Sequence, residues 1–229
     1  MNYIIASNRP FKGRVASNPE ELNRLLTTYE PEVPLYIFFP FWSWKVPDKL
    51  LQATTCIGFH SAPLPKGKGG SPIQNMIRLG YGYTEVCAFK MTTNFDEGEI
   101  ILRHPISLGG SLGNIVKRIS ELVEVMIDDI VKCNTELLGR QEWEIKALKH
   151  DKLKDRDEYF KNVPDTFKRI TDNLLLETDT IKQLHDEIRM RDEEGHPKTY
   201  LWHGRYKIDF TNARLEGNKV MANVEIYET

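Results

Sequence analysis

A histidine at the mouth of a turn rich in proline and glycine is the first feature of this sequence that could carry chemistry. Residues 57–74 read IGFHSAPLPKGKGGSPIQ, so an apolar strand is predicted to run up to His60 and a helix to follow the turn. Histidine titrates near neutral pH, so it can donate to a developing charge and also transfer protons. The glycines would let the backbone approach a ligand closely, and the prolines would stiffen the turn. The stretch GKGGS lacks the full spacing of a Walker phosphate loop.

Strands and helices alternate along the first part of the chain. Apolar, β-branched runs predict strands, and amphipathic runs with capping residues predict helices. The predicted strands are 2–7, 33–39, 54–59, 84–92 and 98–106, and the predicted helices are 17–30, 47–53, 71–80 and 111–134. This order indicates an α/β fold with a largely parallel sheet.

The composition changes after about residue 140. Residues 142–161 mix both signs of charge, which favours a solvated helix or arm. Residues 178–198 predict a helix that ends near Gly195, and two alternating runs after it predict an antiparallel β element. We therefore divide the chain into a catalytic domain, 1–140, and a segment, 141–229, that holds a charged helical part and a C-terminal β-hairpin element.

The bulk composition excludes several classes of protein. The net charge of −2 gives no basic excess for phosphate binding, which argues against a nucleic-acid partner. The three cysteines show no paired spacing, and we interpret Cys56 and Cys87 as buried thiols. The sequence shows no apolar run of membrane-spanning length and no signal peptide, so we expect no membrane partner and a cytoplasmic location.

From residue 57 to residue 103 the sequence resembles the folate-dependent formyltransferase family. The family pattern is a strand ending in Asn-x-His, a Leu-Pro turn, a basic-Gly stretch, a helix and later an Asp-x-Gly loop. The matching residues are His60, Leu64, Pro65, Gly69, Pro72, Gln74, Asp96 and Gly98. His60 and Asp96 are 96 − 60 = 36 positions apart, which is similar to the family separation. The resemblance implies a Rossmann-like formyltransferase fold with a mostly parallel sheet, plus a small C-terminal helix and antiparallel β element.

Within the family the chain looks most similar to the bacterial sugar N-formyltransferases, through FFPFWSWKVP, GKGGSPIQNMI and EIRMRDEEGHPKTYLW. This likeness implies an enzyme of carbohydrate biosynthesis. It would move a formyl group from N10-formyltetrahydrofolate to the primary amine of a nucleotide-linked amino sugar. Two alternatives stay open: formylation of another amine, on an amino acid or methionyl-tRNA, and a non-catalytic folate- or nucleotide-binding relative. The slightly acidic balance and short tail argue against tRNA.

The resemblance also assigns roles at the reacting centre. His60 would be the central acid–base and oxyanion-stabilising group, and Asp96 would orient its ring and favour its charged form. The family has an Asn two places before the histidine, where this chain has Gly58. Removing one oxyanion donor costs roughly 3–4 kcal/mol, so another group would have to compensate. The candidates are the backbone N–H groups of Gly58 and Phe59 and the side chains of Asn94 and Asn8.

Binding residues follow from the resemblance in the same way. The backbone near residues 38–44 and the Asp96 loop would embrace the pterin ring. The candidate cofactor-binding residues are Phe39, Phe41, Trp42, Trp44 and Asn94, and the candidate substrate-binding residues are Arg9, Lys66 and Lys68. Core packing for the aromatic residues and solvation for the lysines are the alternatives. We expect no metal site, and we expect a homodimer with the C-terminal strands as a contact surface.

Overall fold

The computed structural model describes residues 2–28, 35–136, 155–175 and 177–228. The helices are α1 (Pro19–Thr27), α2 (Asp48–Ala53), α3 (Pro72–Arg78), α4 (Leu112–Glu136), α5 (Arg156–Tyr159) and α6 (Ile181–Arg189). The first strands are β1 (Asn2–Ala6), β2 (Val15–Ala16), β3 (Leu35–Phe39), β4 (Thr55–His60), β5 (Lys68–Gly69) and β6 (Tyr83–Lys90). The later strands are β7 (Ile100–Ser107), β8 (Thr166–Phe167), β9 (Thr199–His203), β10 (Tyr206–Glu216) and β11 (Lys219–Glu228).

A six-stranded sheet has the order β2-β1-β3-β4-β6-β7. Strand β1 pairs in parallel with β2 and β3, and β3 pairs in parallel with β4, while β4 and β6 are antiparallel. Strand β6 is buried from residue 84 to residue 89, as expected for an apolar strand inside a sheet. The predicted α/β class with a mostly parallel sheet is confirmed.

Two compact units make up the chain, and each is assembled from separate stretches. The first comprises Met1–Lys68, Glu85–Pro105 and Ile119–Thr166, and the second comprises Gly69–Thr84, Ile106–Arg118 and Phe167–Thr229. The predicted boundary between residues 140 and 141 lies outside the described residues, as does 142–154 of the predicted charged helix. The two-domain division stays a prediction.

The core of the first unit includes residues of β1, β3 and β4, such as Ile4, Ile37 and Cys56. Cys56 and Cys87 are free and buried, which confirms the prediction for both thiols. Burial raises the pKa of each thiol to about 12, so both are protonated and unreactive at neutral pH.

The second unit contains α6 and a three-stranded antiparallel sheet with the order β11-β10-β9, which confirms the predicted C-terminal β element. Helix α6 begins with a capping box between Thr180 and Gln183. It ends at Arg189, before the predicted end near Gly195. The reason is that the carbonyl of Glu187 accepts from the side chains of Arg191 (2.9 Å) and Thr199 (2.6 Å). Among the described residues, no helix combines the length and apolarity needed to cross a membrane.

Candidate active site

His60 is the last residue of β4 and is only 6% exposed. Its Nε2 lies 2.8 Å from the backbone oxygen of Gly67, inside the turn that follows the strand. A carbonyl oxygen can only accept, so Nε2 carries a proton whether the ring is neutral or charged. Nδ1 is therefore the nitrogen that can gain or lose a proton.

Asp96 lies against that second nitrogen. Its Oδ1 is 3.5 Å from His60 Nδ1, and its side chain is 20% exposed. This distance is longer than an ordinary hydrogen bond, so a small adjustment of the loop would bring the two groups into one. Asp96 has a φ of +51°, a left-handed conformation that Asp adopts more readily than most residues. The fold thus brings together the two residues that the sequence singled out.

The loop around Asp96 is held by its own side chains. The hydroxyl of Thr92 donates to the Glu97 carbonyl (2.6 Å), and the amide of Asn94 donates to the Glu97 carboxylate (3.1 Å). A side chain at Gly98 would overlap the carbonyl oxygen of Lys90. The glycine of the Asp-x-Gly motif is therefore required by the close return of the chain.

Neighbouring side chains fill the space beside Gly58 that a larger residue would need. It faces Phe89 across the antiparallel β4–β6 pair. A Cβ atom here would lie 2.7 and 2.9 Å from two Phe89 ring carbons and 3.1 Å from Met91 Cγ. The space for an Asn side chain is thus taken by the Phe89 ring and by Met91. The altered residue is part of a packed arrangement and leaves no gap in the site.

The candidate replacements for that Asn have contacts of their own. The Asn94 amide donates to Glu97, as described above, and the Asn8 amide donates to the Ser43 hydroxyl at 3.1 Å. The backbones of Gly58 and Phe59 lie within the β4–β6 pair. The choice among these donors stays open.

The glycines of the turn lie against the protein's own chain. A Cβ at Gly69 would lie 2.5 Å from the Phe167 carbonyl oxygen, and one at Gly70 would lie 2.7 Å from Arg169 Cβ. Gly69 also has a φ of +104°, which only glycine adopts readily. These two glycines thus serve chain packing, and the sequence-based expectation of close approach to a ligand is not needed to explain them.

A segment far along the chain supports the His60 turn, and sequence reasoning missed it. The Arg156 guanidinium binds both carboxylate oxygens of Glu85 (2.8 and 2.9 Å), and Glu85 is 4% exposed. The same guanidinium donates to the carbonyls of Pro63 and Leu64 at 3.1 and 3.0 Å. Desolvation opposes the charge, but the bonds that Arg156 donates to Glu85 outweigh it and raise the pKa of Arg156.

The predicted lysines also bind the protein itself. Lys66 Nζ donates to the carbonyls of Lys161 (2.7 Å) and Val163 (3.2 Å). Lys68 Nζ donates to Glu97 at 2.6 Å. This bond raises the pKa of Lys68 and lowers the pKa of Glu97. Their predicted role in binding an acceptor stays a prediction.

A cleft of about 60 Å³ opens beside Asp96. It is lined by residues 92–96, by Phe89 and Met91, and by side chains between residues 45 and 51. Of the five predicted cofactor-binding residues, Asn94 lines this cleft. Phe95, also in its wall, is 76% exposed, so its ring is available to a ligand.

Three of the four predicted aromatic residues form a chain of ring contacts. Phe39 is buried and meets Trp42 edge-on, with ring centroids 5.7 Å apart, and Trp42 lies 4.8 Å from Trp44. The Arg9 guanidinium lies over the Phe41 ring at 5.1 Å, a cation–π contact. Phe39 and Trp42 therefore have a packing role, whereas Trp44 is exposed.

Comparisons with known proteins show which proteins this chain resembles. A family model described as "Methionyl-tRNA formyltransferase, C-terminal domain" matches residues 171–227. The solved structure of a methionyl-tRNA formyltransferase from Clostridium thermocellum matches with a TM-score of 0.78 and 28% identity, and the match covers 100% of both chains. The chain is thus similar, in sequence and in fold, to the formyltransferase family.

The relatives within the family differ in length and in name. A methionyl-tRNA formyltransferase from Caldicellulosiruptor saccharolyticus is 28% identical over 117 residues, which is 49% of this chain and 37% of that protein. A sugar N-formyltransferase from Shewanella sp. is 12% identical with a TM-score of 0.54, covers 97% of this chain and 96% of its own, and shows the fold alone. The sugar N-formyltransferases were expected to be the more similar members, but the identity is 12% for this sugar enzyme and 28% for the methionyl-tRNA formyltransferase. The tail expected to differ from the tRNA enzyme matches that enzyme's C-terminal domain model.

Proposed function

We propose that this protein is an enzyme that transfers a formyl group from N10-formyltetrahydrofolate to an amine. The observation that carries the proposal is the pair of His60 Nδ1 and Asp96, 3.5 Å apart beside a cleft, in a chain that is similar to the formyltransferase family. A binding protein without catalysis would have no need of an acid–base pair held at the rim of its cleft.

The reaction is an acyl transfer in which an unprotonated amine attacks the formyl carbon. His60, protonated at Nδ1, donates to the oxygen that becomes negative in the tetrahedral intermediate. Asp96 accepts the proton that the amine loses, and Nδ1 supplies a proton to the departing folate nitrogen. Asp96 then returns its proton to Nδ1, which restores both groups for the next turnover. The Gly67 carbonyl keeps Nε2 protonated throughout, so one tautomer serves every step. No covalent enzyme intermediate is required.

The formyl donor would bind in the cleft beside Asp96. The cleft of about 60 Å³ holds only a part of such a molecule, and we place the pterin edge against the backbone of residues 92–96. The exposed ring of Phe95 then covers its face, because aromatic rings stack on planar heterocycles. The aromatic residues between 41 and 44 would lie further along the donor.

For the acceptor, the names of the more similar relatives favour methionyl-tRNA over a nucleotide-linked amino sugar. A second candidate, the amino sugar, is favoured by charge. The strands between residues 199 and 228 carry four Lys or Arg and four Asp or Glu, so they offer no basic excess to a nucleic acid. The solved sugar N-formyltransferase of the same fold is consistent with this second candidate.

The test is to incubate the purified protein with N10-formyltetrahydrofolate and, separately, methionyl-tRNA or a panel of nucleotide-linked amino sugars. Tetrahydrofolate release with a formyl group on one acceptor would support the function and choose between the acceptors. His60→Gln and Asp96→Asn should each lower turnover by about 10²- to 10⁴-fold while donor binding persists. His203→Gln, at an exposed position, is the matched control. Donor binding without turnover on every acceptor would contradict the proposal.

We also propose a homodimer through the C-terminal sheet. Val224 and Ile226 of β11 are exposed, and they lie opposite Phe210 and Ile208 in the register of β10 and β11. Apolar side chains on one face of an edge strand favour pairing with a second copy. Light scattering should report a dimer for the native chain and a monomer for Ile226→Glu; a native monomer would contradict this proposal.

A further inference from the structure

Two contacts run side by side between the His60 turn and the Asp96 loop. In the first, His60 Nε2 binds the Gly67 carbonyl and His60 Nδ1 lies 3.5 Å from the Asp96 carboxylate. In the second, the residues that follow those two partners bind each other, because Lys68 Nζ donates to Glu97 Oε1 at 2.6 Å. We call this second contact the clasp.

Both ends of the clasp are held in place. The Lys68 backbone N–H donates to the Asp165 carbonyl at 3.0 Å. The Glu97 carboxylate accepts from Asn94, and the Glu97 carbonyl accepts from Thr92. Lys68 is 25% exposed and Glu97 is 48% exposed. A pair restrained at both ends fixes the distance between the two segments that carry it.

We infer that Lys68 and Glu97 are positioning residues, which set the approach of Asp96 to His60 Nδ1. Asp96 lies on a loop in a left-handed conformation, and the next residue, Glu97, ties that loop to Lys68. One end of the clasp, Glu97, is the residue after Asp96. The other end, Lys68, is the residue after Gly67, whose carbonyl binds His60. An exposed ion pair contributes little to folding stability, so its effect is expected on geometry at the reacting centre.

This role differs from acceptor binding by Lys68. A lysine that recognises an anionic acceptor keeps its ammonium available, whereas Lys68 directs its ammonium to Glu97. Asp165 and Asp96 add further negative charge around it. With three carboxylates nearby, the ammonium is neutralised by the protein, and its attraction for an anionic acceptor is weak.

The experiment is a double-mutant cycle of Lys68→Met and Glu97→Gln, with Lys68→Arg as the conservative variant. We expect kcat to fall roughly 10- to 100-fold in each single variant, because misplacement by about 1 Å costs that much. The double variant should lose no more than either single one, KM for the acceptor should stay within about twofold, and Lys68→Arg should restore most of the rate. Lys12→Met, which breaks the exposed pair with Glu124, is the matched control.

A second readout is independent of turnover, although the inference as stated rests on the proposed formyl transfer. The imidazole NMR signal of His60, assigned by its loss in His60→Gln, should shift in both Lys68→Met and Glu97→Gln and stay in place in Lys12→Met. An unchanged rate and an unchanged signal in both variants would overturn the clasp. A raised acceptor KM for Lys68→Met alone, with Glu97→Gln active, would also overturn it in favour of acceptor binding. A native protein without turnover whose His60 signal still shifts in the variants would sink the proposed function and keep the clasp.

Discussion

Replacing Gly58 with Asn, which restores the residue type of the family, should destabilise this protein without improving it. The new Cβ would lie within 2.9 Å of two Phe89 ring carbons and 3.1 Å from Met91 Cγ. Overpacking of this kind costs about 1–3 kcal/mol, and a buried amide without a partner adds about 1–3 kcal/mol. We take about 3 kcal/mol as the total, which corresponds to a fall in Tm of roughly 6–12 °C for a chain of this size.

The cause is isolated by combining the change with Phe89→Ala. The single Phe89→Ala change should cost about 3–5 kcal/mol through the cavity that it leaves. In the double variant the Asn side chain enters that cavity, so the loss should fall short of the sum by about 1–3 kcal/mol. Gly82→Asn is the control, because no atom lies within 4 Å of the Cβ that would be added there. Thermal unfolding at one pH measures the native protein and all four variants.

Two results would refute this reasoning. Gly58→Asn could have the same Tm as the native protein, which would mean that the Phe89 ring moves aside without loss of stability. Alternatively, the two changes could be additive, which would mean that the amide never enters the space of the ring. If the double variant also gains turnover over Phe89→Ala alone, the side chain has reached the oxyanion.

Three further predictions concern buried groups. Because burial raises the pKa of Cys56 and Cys87 to about 12, iodoacetamide at pH 8 should label neither in the native state, and peptide mapping after denaturation should find both labelled. Burial lowers the pKa of His104 below 6.5, so the unfolded state binds its proton first and stability falls as pH drops below about 6.5; His104→Phe should flatten Tm between pH 7.5 and 5.5, and an unchanged slope would contradict this. Arg156→Met should cost about 3 kcal/mol in urea unfolding, because it removes both short bonds to the buried Glu85 carboxylate and leaves the longer ion pair with Arg103 at 3.8 Å, and a loss under 1 kcal/mol would mean that Arg103 or solvent compensates this carboxylate.

Much of the fold could be predicted because its signals are local. Ser17 and Asn18 were both possible caps of α1, and Asn18 is the cap, because its side chain accepts from the Glu21 N–H. Apolar runs marked the strands of the sheet, since a strand buried on both faces is apolar throughout. The histidine turn and the Asp-x-Gly loop were each recognisable as short motifs. Their meeting does not follow from strand order, because β4 and β6 are antiparallel and their C-terminal ends point in opposite directions.

The support of the site could not be predicted, because it uses main-chain atoms from distant positions. Pro164 and Lys161 contribute only carbonyl oxygens to the turn, and every residue has such an oxygen. The occupation of the Gly58 position by Phe89 was also hidden, since the sequence does not state the register between β4 and β6. A lysine in a sequence reveals a charge but does not reveal which oxygen will meet it, as Lys68 illustrates.

The segment after residue 155 contacts residues that lie far earlier in the chain. This separation determines when the site can form during synthesis. Lys66 and Val163 are 97 positions apart, and Arg156 and Pro63 are 93 apart. At a ribosomal rate of about 5–20 residues per second, the His60 turn would wait roughly 5–20 s for the residues that hold it. During synthesis the motif thus emerges early but acquires its shape late. A nascent chain stalled near residue 140 would carry His60 and Asp96 and still lack the working centre.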